Sequence, residues 1–93
     1  MAAAYDPLFE ALSNEVRRDI IGLLKIREEL CASEIHAKFI ASRTSISYHL
    51  SILYKLGILK TRKNGRNLYY FLNEDFIHKH LTIFLDKFVL PVR

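Results

Sequence analysis

A chain of 93 residues, 51% hydrophobic and carrying a formal charge of +4, is long enough for one domain and has no room for a second. It has no apolar run near the ~18 residues a membrane span needs, and its opening Met1-Ala-Ala-Ala-Tyr-Asp-Pro7 lacks the basic and apolar regions of a signal peptide. Its single cysteine excludes an intrachain disulfide framework and fits a reducing cytoplasm, and the positive charge favours a polyanionic partner.

A domain of this size buries only roughly 60–65% of its unfolded surface, so a chain this apolar gains from a partner that covers the rest. Residues 5 to 12 place Leu8, Phe9 and Leu12 at helical spacing, with Pro7 tolerable in a first turn. Ser13 or Asn14 caps a second helix, in which Val16, Ile20, Leu23 and Leu24 form the buried face. Arg17, Arg18, Lys25 and Arg27 are expected outside. The pattern fades at Glu28-Glu29, and Ser33 is the expected cap of a short third helix holding Ile35 and Phe39. Ile40-Ala41 reads as a tight turn.

The stretch from Ser42 to Gly57 follows. Ser42 is a good N-cap, Gly57 can take the left-handed conformation that ends a helix, and Ile46, Leu50 and Leu53 form one apolar stripe between them. The first turns offer Arg43, Thr44, Ser47 and Tyr48 on the open side, hydrogen-bonding groups on short or stiff stems together with one guanidinium. Such a face suits base edges in a major groove, which admits a helix. An ordinary solvated helix would look the same in isolation, so the flanking segments decide. A short helix, a turn and a longer helix with polar residues at its start make a helix-turn-helix.

After Gly57 the period changes from 3.6 to 2. Ile58 to Arg62 and Asn67 to Leu72 read as two strands, joined by Lys63-Asn64-Gly65-Arg66, in which Asn-Gly is a strong hairpin signal. Arg62, Lys63 and Arg66 surround the tip. Charged residues can simply solubilise a hairpin edge. Directly after a candidate reading helix, however, a basic hairpin is placed as a wing against the phosphate backbone or a minor groove. Asn73 caps a last helix whose Phe76, Ile77, Leu81, Ile83, Phe84, Leu85, Phe88, Val89 and Leu90 exceed one stripe before Pro91 stops it. So apolar an end helix is expected to pair with its equivalent in a second copy, assisted by the Leu8-Phe9 helix. The candidate interface is Leu8, Phe9, Phe76, Ile77, Leu81, Phe84, Leu85 and Phe88. The expected fold is mainly α (α+β): a winged helix-turn-helix of five helices with a hairpin between the last two, spanning residues 1–93 as one DNA-binding domain.

Three motifs in order give the chain a family likeness. Phe9 to Leu24, Ser45-Ile-Ser-Tyr-His-Leu50 with Leu53 and Gly57, and Arg62 to Asn73 resemble the opening, recognition helix and wing of the ArsR/SmtB family of winged-helix repressors. The resemblance covers roughly Leu8 to Asn73. It implies a homodimer that binds inverted-repeat operators in double-stranded DNA and represses transcription. It also implies base or phosphate contacts from Arg43, Thr44, Ser47, Tyr48 and His49, with wing contacts from Lys63 and Arg66. With their neighbours Ser45, Arg62 and Asn64, these residues complete the candidate DNA-contact set.

Many relatives sense metal through a Glu-Leu-Cys-x-Cys segment. Here that segment is Glu29-Leu30-Cys31-Ala32-Ser33, and a hydroxyl is a poor substitute for a thiolate towards soft metals. Asp75, His78, His80 and Asp86 do not match the spacing of the other common site. No metal and no cofactor is therefore expected, and no membrane partner. Ser47, His49 and Asp75 supply the residue types of a catalytic triad, but Ser47 and His49 diverge on one helix and no phosphate loop or carboxylate pair accompanies them, so no enzyme is expected. The competing reading is a winged helix that docks an acidic protein without binding DNA.

Overall fold

The structure, a computed structural model, describes residues 6–88, and the side chains of residues 87 and 88 lie outside that description together with Val89, Leu90 and Pro91. Helix α1 (Pro7–Leu12) starts where the Asp6 carboxylate accepts from the Leu8 and Phe9 N–H groups at 3.0 and 3.1 Å. Pro7 occupies its first turn, where a missing N–H costs nothing. Helix α2 (Glu15–Arg27) is capped by Asn14, whose side chain accepts from the Arg17 N–H. The chain leaves α2 through Glu28, whose φ of 72° is the only positive value at a non-glycine among the described residues.

The next segment departs from the sequence expectation. Glu29–Cys31 forms a strand, β1, rather than a connector. Cys31, not Ser33, stands at the N-cap of α3 (Ala32–His36), and the Glu34 carboxylate accepts from the Cys31 N–H at 2.9 Å. That hydrogen bond holds the Glu34 carboxyl below the ordinary carboxylate range. Phe39 falls past the end of α3, in the turn of residues 37–42, and still packs on the core.

Helix α4 (Arg43–Leu56) is the best-defined element at both ends. Ser42 Oγ accepts from the Ser45 N–H at 3.1 Å. At the other end the Ile58 N–H reaches the Leu53 carbonyl at 3.0 Å and the Gly57 N–H the Tyr54 carbonyl at 3.1 Å, the paired bonds of a Schellman motif. Gly57 has φ 92°, and a Cβ there would lie 3.0 Å from the Phe76 ring. Gly57→Ala is accordingly expected to cost about 1–3 kcal/mol, read as a lowered urea midpoint; an unchanged midpoint would mean that neither the backbone nor Phe76 constrains this corner.

Strands β2 (Leu59–Asn64) and β3 (Asn67–Leu72) pair antiparallel, Asn64 opposite Asn67 and Leu59 opposite Leu72. The hairpin loop is thus the two residues Gly65-Arg66 rather than four, with the positive φ confined to Gly65. β1 adds to the free edge of β3, with Leu30 opposite Tyr70, so the sheet has three strands in the order β1-β3-β2. Asn73 then ties three elements together. Its N–H reaches the Ile58 carbonyl at 2.8 Å, its amide donates to the Gly57 carbonyl at 3.1 Å, and its Oδ1 accepts from the Phe76 N–H at the start of α5 (Glu74–Phe88).

Ile20 and Leu24 of α2, Ile35 of α3 and Ile46, Leu50 and Leu53 of α4 meet Leu8, Leu30, Ile58 and Leu59 in one core. Three residues expected at a dimer interface are drawn towards it. Leu8 is buried in the chain's own core, and Phe76 and Ile77 pack against that core, because α5 lies across α1 within the same chain.

Candidate nucleic-acid interface

The inner stripe of α4 is sealed on the core, which fixes what the helix shows outward. Arg43, Thr44, Ser47 and Tyr48 are all exposed, and Ser45 is half-buried. Two residues that the sequence reasoning did not single out, Ser51 and Tyr54, continue this face. With Ser47, Thr61 and Tyr70 they line a cleft of ≈ 350 Å³ between α4 and the sheet. The four- and seven-residue steps from Ser47 to Ser51 and Tyr54 were the available signal.

Residue 49 corrects the sequence reading. His49 is 8% exposed, on the same buried stripe as Ile46 and Leu53, and its Nδ1 faces Arg17 Nη1 at 3.2 Å. It lies inside rather than on the exposed face of α4. Arg17, expected outside, is 6% exposed. Its guanidinium donates to the Ala11 carbonyl (3.3 Å), the Glu10 carbonyl (3.0 Å) and Ser13 Oγ (3.1 Å), with the Glu10 carboxylate 3.8 Å away. The end of α1 leaves carbonyls without helical partners, and Arg17 satisfies them while reaching α4. Since a guanidinium can only donate, His49 Nδ1 accepts and its proton sits on Nε2. Burial first, and then the Arg17 charge, hold His49 below the ordinary imidazole value. The neutral ring suits its place.

At the wing, Lys63, Asn64 and Arg66 are exposed around the tip. Arg62 is otherwise engaged. Its Nε and Nη2 both lie 2.6 Å from Glu29 Oε2, and its guanidinium stands over the Tyr69 ring at 5.1 Å. The strand that the sequence reading missed, β1, supplies that carboxylate, so Arg62, still exposed, is held against the base of the wing.

Other chemistries find little support in this geometry. Cys31 Sγ meets Ser33 Oγ at 3.3 Å, one thiol beside a hydroxyl, a donor set that does not suit a soft metal. Among the described residues no three of His, Cys, Asp and Glu converge as a metal site needs. His80 packs against the Phe76 ring at a tilt, with centroids 4.1 Å apart. Ser47 does meet a histidine, His36, at 3.2 Å, but the other ring nitrogen of His36 faces Arg43 rather than a carboxylate. A guanidinium there opposes the imidazolium that a general base must become. This is not a catalytic dyad.

A family described as a helix-turn-helix domain matches residues 12–62. The cadmium resistance transcriptional regulatory protein CadC homolog of Staphylococcus aureus is 36% identical over 70 residues, 75% of this chain and 58% of that protein. The transcriptional repressor SdpR of Bacillus subtilis is 33% identical over 79 residues, 85% of this chain and 87% of that protein. A crystal structure described as a possible transcriptional regulator for arsenical resistance superposes with TM-score 0.78 at 33% identity, covering 95% of this chain and 88% of that one. The chain belongs to the ArsR-type winged-helix regulators. It spans somewhat over half the length of the cadmium-resistance relatives it matches. The ArsR-type fold accounts for the order of elements, and the relatives are transcriptional regulators, not enzymes. No helix among the described residues is long and apolar enough to cross a membrane.

Proposed function

We propose that the chain is a dimeric repressor that reads an inverted-repeat operator, with α4 in the major groove and the Lys63–Arg66 tip on the backbone or in the adjoining minor groove. One observation carries the reading: α4 buries its whole apolar stripe and leaves Arg43, Thr44, Ser47 and Tyr48 exposed together on its N-terminal half. Recognition helices read bases from that end. The basic hairpin beside it supplies cations for phosphates, which set affinity, while the helix supplies groups for base edges, which set sequence. Pairing through α1 and α5 rests on Phe9, Leu81 and Leu85, which stand 63%, 42% and 44% exposed in the single chain. Phe84 lies between them on α5.

The test is binding to fragments selected from genomic DNA, followed by substitution. Arg43→Ala or Tyr48→Ala is expected to cost ~1–3 kcal/mol at the selected operator and little on scrambled duplex. Equal losses on both would remove α4 from base reading. Lys63→Ala and Arg66→Ala should weaken all sequences alike and flatten the dependence of log K on log salt by about one unit each. A slope unchanged by either substitution would take the wing off the phosphates. A chain that retards no duplex in dilute buffer, yet binds an acidic protein, would replace the whole reading with a protein-docking one.

A further inference from the structure

We infer that His36 is a positioning residue for base reading, holding Arg43 and Ser47 in one arrangement before DNA arrives. The inference rests on the reading role proposed above for those two side chains. His36 closes α3 and is half-buried, and its ring spans the turn to α4. Nδ1 lies 3.4 Å from Arg43 Nη1, and Nε2 lies 3.2 Å from Ser47 Oγ.

The chemistry of the three groups fixes every proton. Arg43 can only donate, so Nδ1 must accept, the ring is neutral, and the hydrogen sits on Nε2. Nε2–H then donates to Ser47 Oγ, and the hydroxyl hydrogen of Ser47 is directed elsewhere. Ser47 is therefore set as a donor towards DNA, matched to a base or phosphate acceptor. Arg43 uses a single N–H on His36 and keeps enough of its fork for the paired acceptors of a guanine edge. A long, rotamer-rich side chain held in advance loses less freedom on binding than one that must be ordered by the duplex. The imidazole also couples α3 to α4 at the turn, so the two reading groups move with the helix-turn-helix as a unit.

The experiment compares wild type, His36→Ala, His36→Gln, Arg43→Ala and the double variant His36→Ala/Arg43→Ala on the selected operator, on operators altered base by base, and on scrambled duplex. Thermal unfolding of each variant is recorded alongside. His36→Ala is expected to lose roughly three- to tenfold at the operator, the value of ordering one or two side chains, with scrambled-duplex binding and thermal midpoint unchanged. In the Arg43→Ala background the same substitution should lose clearly less, because the shared contact is already gone. His36→Gln, whose amide carries both a donor and an acceptor, should recover most of the loss. Base discrimination should relax in His36→Ala only at the positions Arg43 and Ser47 read. An undiminished loss in the Arg43→Ala background, an equal loss on scrambled duplex, or no loss at all would overturn the positioning role while leaving the operator reading intact. A wild-type chain that does not distinguish operator from scrambled duplex would overturn both.

Discussion

Arg17→Ala is expected to remove about 2–5 kcal/mol of stability, a large part of what a 93-residue domain has. Little of the loss comes from the ion pair with Glu10, whose carboxylate is 3.8 Å away and half-exposed. Most of it comes from acceptors left behind. The buried Ala11 carbonyl and His49 Nδ1 both turn towards this guanidinium, and each buried acceptor stranded without a donor costs about 1–3 kcal/mol, whereas the exposed Glu10 carbonyl keeps its bonds from Ser13. Urea denaturation measures it. A loss below about 1 kcal/mol would mean that water replaces the guanidinium freely, and the link from α1 to α4 would then be dispensable.

The same network gives stability a pH dependence. His49 is held below the ordinary imidazole value in the folded chain and titrates near ~6.5 once unfolded. Between those two values the unfolded chain binds more protons, so stability rises with pH. The contribution is complete above about pH 6.5 and is lost as pH falls through that value towards the folded one. A proton on His49 would set a second cation 3.2 Å from Arg17. His49→Asn, which offers an amide oxygen to Arg17, should unfold with a shallower decline between pH 7 and 5. An identical decline in both proteins would assign the acid sensitivity to other groups.

The second large effect is expected at Leu81 and Leu85. Both are exposed in the single chain, so aspartate at either position should leave the monomer's thermal midpoint nearly unchanged. In a pair the same carboxylate would be desolvated against α5 of the second copy, which is costly. Leu81→Asp/Leu85→Asp is therefore expected to sediment as a monomer and to bind the operator about 10²–10⁴-fold more weakly, because the second half-site is no longer delivered by the first. A dimeric double variant would move the interface elsewhere. A monomeric variant with full operator affinity would show that one helix suffices.

Much of the fold was legible in local chemistry. The Ser42 and Asn73 caps, the Gly57 terminus, the period change after it and the Asn67–Leu72 strand all follow from propensity and spacing that need no distant partner. β1 was not legible. Its three residues carry no turn signal, and they become a strand only because β3, some forty residues later, offers an unpaired edge. The hairpin loop was read two residues too long because the ladder continues through Asn64 and Asn67.

The misplacement of Arg17 and His49 is more instructive. Arg17, Ile20 and Leu24 stand at i, i+3 and i+7, and Ile46, His49, Leu50 and Leu53 share one stripe, so the periodicity put both polar residues inside. Residue type argued the other way, since an arginine or a histidine is usually solvated. Each is buried because it satisfies the other, and pairing between residues 32 positions apart leaves no trace in local pattern.

The sequence alone thus determined the candidate reading helix, the hairpin beside it and the likeness to ArsR-type regulators, because caps, periods and turn residues act over a few positions. Tertiary packing decided which polar side chains face outward. Arg62 was drawn back to Glu29, His49 was turned in to Arg17, and His36 was set against Arg43 and Ser47. A hydrogen bond depends on where the chain returns in space, and that is settled only when the core closes.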